Sequence, residues 1–197
     1  MKRIIAVLLM LGALSASAQE LKPFKFNVSL GYAKPTGPGA SGGVLFSLEP
    51  KYGLSDQFDI GLRYELAAMA RAYQINGQDA DGELKAASSF VLTGTYLFST
   101  NNFRPYLGAG AGLFTTAATG FTVSGGQGST DGDVAAGTKF GGLVRVGFKA
   151  SHFNFGLEYN LIPKTTGIIS GLTNGSYEST NSYFGIKLGV DIGGGPY

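Results

Sequence analysis

The chain has few side chains suited to nucleophilic catalysis. It contains a single histidine, His152, and no cysteine. A G-x-S-x-G pattern occurs at residues 39–43 with Ser41 at its centre. A serine nucleophile needs a base within hydrogen-bond reach, and this motif has meaning only on a strand–turn–helix element. The pattern of strands along the chain predicts a loop for Ser41 and a distant turn for His152. We therefore expect that the protein is not an enzyme. Among the functions considered, a lipid-modifying enzyme is the least favoured.

Two acidic segments could supply oxygen ligands to a metal ion. Asp79, Asp81 and Glu83 lie close together in sequence, as do Asp131 and Asp133. Each segment is only a fragment of a calcium-binding loop, which spreads its ligands over about twelve residues. We interpret both as solvated polar loops and expect neither a metal nor another cofactor.

A larger set of charged residues occupies alternate positions between apolar neighbours, as Asp59 does between Phe58 and Ile60. Alternation with a period of two is typical of a β-strand with one apolar and one polar face. Six of these residues are basic and five acidic, so their charges nearly balance. The set comprises Lys25, Glu49, Lys51, Asp59, Arg63, Glu65, Arg145, Lys149, Glu158, Lys187 and Asp191.

Eight segments share this alternation, and each is long enough for the roughly 9–11 residues of a tilted membrane strand. They are residues 24–33, 43–53, 58–72, 86–98, 104–116, 138–150, 153–162 and 182–192. The fifth segment differs because Gly108, Gly110 and Gly112 form one of its faces. We expect these glycines to make room for neighbouring Arg or Tyr side chains.

The connections between the segments alternate in length. Residues 54–57, 99–102 and 151–152 form short connections, and aromatic residues crowd the strand ends beside them. The other connections are mostly longer and polar or rich in glycine, at residues 34–42, 74–85, 117–137 and 163–181. Outer-membrane barrels have short periplasmic turns, long outer loops and aromatic girdles. The alternation of short and long connections therefore predicts that both termini are periplasmic.

The N-terminus is typical of a secretory leader. Lys2 and Arg3 precede the apolar residues 4–14, and Ala16-Ser17-Ala18 forms a small-residue cleavage site. We expect a signal peptide at residues 1–18 and one domain at residues 19–197. Removing the leader leaves 13 basic and 13 acidic residues, because the full chain has 15 and 13. Bulk basicity therefore gives no argument for a nucleic-acid partner.

These patterns predict an all-β fold, an eight-stranded antiparallel up-and-down transmembrane β-barrel. A soluble barrel would also show alternation, but the interior of a small barrel could not hold so many large apolar side chains. The apolar face should therefore contact lipid, and the charged face should fill the lumen. Buried charges need partners, so we expect an ion-pair network that plugs the barrel, with Arg63 and Arg145 at its centre. The alternative is a narrow channel for ions or small solutes.

The pattern resembles the small outer-membrane β-barrel family that includes the OmpA transmembrane domain and OmpX. Three stretches carry the resemblance: residues 104–112 (RPYLGAGAG), residues 155–160 (FGLEYN) and the last strand, residues 183–192. The resemblance implies a Gram-negative outer membrane, contacts with its lipid, a monomer, and a structural or surface-interaction role through the loops. It also implies insertion by the cell's barrel-insertion machinery. The tail at residues 193–197 departs from the usual ending on an aromatic residue of the final strand.

Overall fold

The computed structural model describes residues 23–36, 40–70, 73–75, 78–80, 84–116, 119–125, 128–134, 137–168 and 176–194. The expected leader at residues 1–18 and the last three residues of the tail lie outside this range. No helix in the described part of the chain is long and apolar enough to cross a membrane.

All regular structure in the described residues is β-strand, in fourteen strands. In chain order they are β1 Phe24–Pro35, β2 Ser41–Ser55, β3 Phe58–Ala70, β4 Tyr73–Ile75, β5 Gln78–Ala80, β6 Leu84–Leu97, β7 Phe103–Thr116, β8 Thr119–Gly125, β9 Gly128–Val134, β10 Gly137–Ala150, β11 Phe153–Leu161, β12 Thr165–Ile168, β13 Ser176–Ser179 and β14 Tyr183–Gly193.

Eight of these strands close into a barrel in the order β1-β14-β11-β10-β7-β6-β3-β2. Each neighbouring pair is antiparallel, and the first and last strands pair from Lys25↔Gly193 to Pro35↔Tyr183. The barrel strands are those predicted from the alternation, with ends shifted by up to a few residues. The predicted fold class is confirmed.

The long connections contain further strands, so their interpretation as loops was wrong for part of their length. Strands β8 and β9 form a hairpin that follows the register of β7 and β10. Strands β4, β5, β12 and β13 form a four-stranded sheet in the order β12-β13-β4-β5. Antiparallel strands leaving a barrel side by side can keep pairing through backbone hydrogen bonds. Such pairing needs no apolar alternation, which is why the sequence pattern missed it.

The wall of the barrel separates an apolar outer face from a polar inner one. Large apolar side chains point outward along every barrel strand, and many are about half exposed, such as Leu30 at 65% and Leu92 at 65%. A soluble barrel has the opposite arrangement, because exposing this much apolar surface to water is unfavourable. At the short-turn end the outward aromatic side chains include Phe24, Tyr52 and Phe98.

Candidate functional site: the filled barrel interior

The eleven charged residues singled out in the sequence all point into the barrel. They come from β1, β2, β3, β10, β11 and β14, at positions where strand alternation turns the side chain inward. All are buried, and the most exposed of them, Lys187, is only 7% exposed. The interior is therefore a charged core surrounded by an apolar wall.

The part of this core nearest the short turns pairs three lysines with two aspartates. Lys25 Nζ lies 2.7 Å from Asp59 Oδ1. Lys149 Nζ bridges the two acids, at 3.4 Å from Asp59 Oδ2 and 2.9 Å from Asp191 Oδ2. Lys51 Nζ lies 3.5 Å from Asp191 Oδ1. Each carboxylate oxygen thus faces an ammonium group.

The middle of the core is centred on Arg145 and Glu49. Arg145 donates two parallel hydrogen bonds to the carboxylate of Glu49, both 2.8 Å long. Arg145 Nη2 also donates to Thr95 Oγ1 at 2.5 Å, and Thr93 Oγ1 donates to Glu49 Oε1 at 2.6 Å. Lys51 Nζ, 3.5 Å from Glu49 Oε2, joins this layer to the one below. Bidentate pairing of this kind fixes geometry as well as charge.

The loop-side part of the core surrounds Glu65 and Glu158. Arg63 Nη1 contacts Glu158 Oε2 and lies 3.2 Å from Glu65 Oε2. Lys187 Nζ lies 2.7 Å from Glu158 Oε1 and 3.2 Å from Glu65 Oε2. Tyr183 donates its hydroxyl to Glu65 Oε1 at 2.5 Å. These contacts give both glutamates two cationic partners.

One further contact makes the core continuous, because Arg145 Nη1 lies 3.7 Å from Glu158 Oε1. Every one of the eleven charges is then linked to the next through pairs within 4 Å. We refer to these eleven residues as the ion-pair network. A cavity of about 10 Å³ lies among its side chains, roughly the space of a single water molecule.

A second layer closes the barrel on the loop side and is apolar. Its side chains point inward from the loop-side halves of the strands and are at most 5% exposed. We call it the apolar cap: Ala33, Leu45, Ala67, Met69, Val91, Phe114, Leu143, Ile162 and Tyr183. Tyr183 belongs to both layers, since its ring packs in the cap and its hydroxyl bonds to Glu65. The alternation of the strands did not predict this layer. Its only signal was apolar residues at inward positions near the loop ends of the strands.

Glycines on the inner face leave room for two of the largest interior side chains. A Cβ on Gly108 would lie 2.8 Å from Arg145 Nε, so this glycine makes room for an arginine as expected. Cβ atoms on Gly147 and Gly156 would lie 2.6–2.7 Å from the Tyr106 ring or hydroxyl. The same expectation was wrong for Gly110 and Gly112, because the atoms nearest to their Cβ positions belong to the backbone of β6 and to Val91.

The residues considered for catalysis do not meet. The prediction of a loop for Ser41 was wrong, because Ser41 is the first residue of β2, at the loop-side end of the barrel; its motif partner Gly39 lies outside the described residues. His152 lies in the two-residue turn between β10 and β11, at the opposite end, with its Nδ1 3.0 Å from the Asp191 carbonyl oxygen.

The described residues contain no group of three or more His, Cys, Asp or Glu side chains that could hold a metal ion. The side chains of Asp79, Asp81, Glu83, Asp131 and Asp133 lie outside the described part of the structure.

An antiparallel barrel with an apolar outer wall and a filled polar core is an integral membrane β-barrel. Residues 4–195 match the family described as the outer membrane protein beta-barrel domain, and the chain belongs to that family. The protein is therefore an integral protein of the outer membrane. A search of curated proteins gives no match.

Several solved structures have a similar fold. Neisserial surface protein A is 18% identical, with a TM-score of 0.54 over 88% of this chain and 99% of the other. The outer membrane protein OprG from Pseudomonas aeruginosa is 14% identical, with a TM-score of 0.50 over 88% of this chain and 98% of the other. At this identity the similarity concerns the fold alone.

Proposed function

We propose that the protein is a structural and surface-presenting component of the outer membrane whose lumen is closed to ions and solutes. The observation that carries this proposal is the pair of barriers in series, the ion-pair network and the apolar cap. A hydrated ion would have to separate buried pairs, at several kcal/mol for each charge left alone, and then lose its water in the cap. The cavity among the charged side chains of the network, about 10 Å³, is too small for a hydrated ion.

Orientation and processing complete the proposal. The leader at residues 1–18 is removed, and residues 19–197 are inserted by the barrel-insertion machinery, with the termini and short turns facing the periplasm. The strands of the long connections then project outside the cell. The β8–β9 hairpin, with seven residues in each strand, could extend about 23 Å at 3.3 Å per residue. It would present a surface to an extracellular partner.

The barrel is proposed to act as a monomer and without catalysis. Each of its eight strands is paired on both sides, so the barrel wall offers no free edge to a second copy. Ser41 and His152 lie at opposite ends of the barrel, too far apart to act as a nucleophile and base. Purified protein should release no product from phospholipid or lipid A. Hydrolysis abolished by Ser41→Ala or His152→Ala would contradict this part of the proposal.

Conductance across a planar bilayer tests the closed lumen. The refolded protein should show no stable open level. As a positive control, a variant carrying both Arg145→Ala and Phe114→Ala removes one large side chain from each barrier and should conduct. A large and steady conductance from the unaltered protein would refute the closed barrel and favour the narrow channel.

Orientation can be tested because the chain has no cysteine. Single cysteines are introduced at Ser129 in β9 and at Asp56 in a short turn, and intact cells are treated with a membrane-impermeant maleimide. Labelling at position 129 alone is expected. Labelling at position 56 alone would mean that the barrel is inserted the other way round.

A further inference from the structure

One of the eight seams between neighbouring barrel strands is interrupted, the seam between β2 and β3. Its register shifts between Ser41 and Val44 at the loop side and between Gly53 and Ser55 at the short-turn side. Between these shifts, residues 49–50 have no paired residue on β3, although the register is the same on both sides of the gap. The other seven seams run without a gap or a shift through the described barrel strands. The β2–β3 seam is therefore the least continuous part of the wall.

Pro50 accounts for the gap, because proline has no backbone N–H. The N–H of Gly53 donates to the Pro23 carbonyl oxygen at 2.7 Å, on the β1 side of β2. Backbone groups of an antiparallel strand point alternately to its two neighbours, so position 50 points to β3. The register on both sides of the gap places Leu62 opposite Pro50. The Leu62 carbonyl oxygen has therefore lost its ladder donor, which is costly at membrane depth.

The charged interior does not hold the two sides of this gap to each other. Glu49 on β2 and Arg63 on β3 lie opposite each other by register and carry opposite charges. Each nevertheless binds the far wall, Glu49 to Arg145 on β10 and Arg63 to Glu158 on β11. In the described residues, no ion pair or side-chain hydrogen bond joins β2 directly to β3.

Two contacts span the seam from neighbouring strands. At the short-turn end, Lys25 of β1 pairs with Asp59 of β3 at 2.7 Å. At the gap, Thr93 Oγ1 of β6 lies 2.6 Å from Glu49 Oε1 and 3.2 Å from the Gly61 carbonyl oxygen. A hydroxyl has one proton to donate, so it serves one side at a time. The end of the seam is thus clamped by an ion pair, while the gap is spanned by one hydroxyl.

The gap separates an apolar surface from a polar one. On its outer side, Pro50 is half-buried and Leu62 is 49% exposed to the membrane. On its inner side lie the carboxylate of Glu49 and the hydroxyl of Thr93. A molecule that enters from hydrocarbon must be uncharged, because a bare charge is costly there. Inside, a polar molecule could form hydrogen bonds with these groups.

We propose that the barrel wall opens transiently along the β2–β3 seam at Pro50 and admits small uncharged polar molecules from the membrane to the layer of Glu49. The inference goes beyond the proposed function, because a sideways opening leaves the ion-pair network and the apolar cap in place as barriers along the barrel axis.

The test uses cysteines as reporters, since the chain has none. The reporter at the seam is Ser47→Cys on β2, at a position 1% exposed, and the control is Ser89→Cys on β6, at a position 3% exposed. Both serines are register partners of Glu65, one on each side of it, so they share one layer of the interior. Each variant is refolded into phosphatidylcholine vesicles, and gel mobility before and after boiling shows that it is folded.

Two thiol reagents are compared by mass spectrometry, the uncharged N-ethylmaleimide and a methanethiosulfonate carrying a fixed trimethylammonium charge. Each rate is divided by the rate for the same variant unfolded in urea. N-ethylmaleimide should react about fivefold faster at position 47 than at position 89, the factor that one net backbone hydrogen bond provides. Pro50→Ala supplies the missing N–H and should lower the rate at position 47 by about fivefold while leaving position 89 unchanged. The charged reagent should react slowly at both positions.

A second measurement does not depend on residue 50. Leu48→Cys with Tyr64→Cys places two thiols at register partners on the outer face of the seam. Oxidising them to a disulfide should slow hydrogen exchange in β2 and β3 relative to the same variant reduced. Exchange in β10 and β11, on the opposite side of the barrel order, should not change.

Several results would overturn the inference. Equal N-ethylmaleimide rates at positions 47 and 89, a rate at position 47 that Pro50→Ala leaves unchanged, or exchange that the disulfide does not slow would each do so. Equally fast reaction of the charged reagent at position 47 would indicate an aqueous path along the axis and would contradict the closed lumen as well. No reaction at position 47, together with no conductance in planar bilayers, would overturn this inference and leave the proposed function standing.

Discussion

Removing the guanidinium of Arg145 tests the central contact of the ion-pair network. In Arg145→Ala, Glu49, which is 3% exposed in the unaltered protein, loses both 2.8 Å hydrogen bonds. It keeps the hydroxyl of Thr93 at 2.6 Å and the ammonium of Lys51 at 3.5 Å. The variant therefore leaves a buried carboxylate with one distant cation in place of a bidentate partner.

The size of the effect follows from the surroundings of that carboxylate. Removing one partner of a buried ion pair typically costs about 3–5 kcal/mol of the free energy of unfolding. Because Lys51 and Thr93 still contact Glu49, we expect a value near the lower end, about 3 kcal/mol. Adding Glu49→Gln to Arg145→Ala removes the unpaired charge. The double variant should be less destabilised than the sum of the two single variants by about 2 kcal/mol, a coupling within the range seen for residues in one network.

The assay is a urea titration of protein refolded in vesicles. The folded fraction is measured from the gel mobility of unboiled samples. Arg104→Ala serves as a matched control, because Arg104 lies near a short turn and its Nε hydrogen bond to the Asn101 carbonyl oxygen is exposed. It should cost less than about 1 kcal/mol. A loss for Arg145→Ala no larger than that of Arg104→Ala, or single-variant losses that simply add, would refute the reasoning.

Three further predictions use the same titration. Gly108→Ala should lower the free energy of unfolding by about 1–3 kcal/mol, since its Cβ would lie 2.8 Å from Arg145 Nε and 2.9 Å from the Gly94 carbonyl oxygen; Arg145→Ala should remove part of this loss, and a loss that persists in full would contradict the role of the arginine. Phe114→Ala should cost about 3–5 kcal/mol because this cap side chain is only 2% exposed, and a near-neutral result would show that the cap is loosely packed. Leu188→Arg, at the middle of β14 on the outer wall, should cost about 2–4 kcal/mol, whereas Leu54→Arg near the short turn should cost about 0–1 kcal/mol. Equal losses at Leu188 and Leu54 would argue against a lipid-facing wall.

Much of the interior could be predicted because strand alternation leaves only two directions for a side chain. Once Phe58 and Ile60 are assigned to lipid, Asp59 must point inward, and the same reasoning holds for Glu158 between Leu157 and Tyr159. The predicted direction follows from local backbone geometry alone. It needs no knowledge of which strands are neighbours.

The partners of each charge could not be predicted, because they depend on strand order and shear around the closed barrel. Arg63 on β3 reaches Glu158 on β11, although these strands lie opposite each other in the barrel. Arg145 contacts Glu49 across 96 residues of sequence. The apolar cap was missed for a similar reason, since Leu45 and Phe114 form a layer only when strands distant in sequence meet.

The sequence by itself determined the eight strands, the direction of each side chain and the near balance of charge within the barrel. These properties follow from a period of two and from the cost of exposing apolar residues to water or charges to lipid. Only the tertiary structure decided that the charges form one continuous network and that an apolar layer closes it. Those features depend on contacts between strands remote in the chain, which barrel closure brings within a few ångströms.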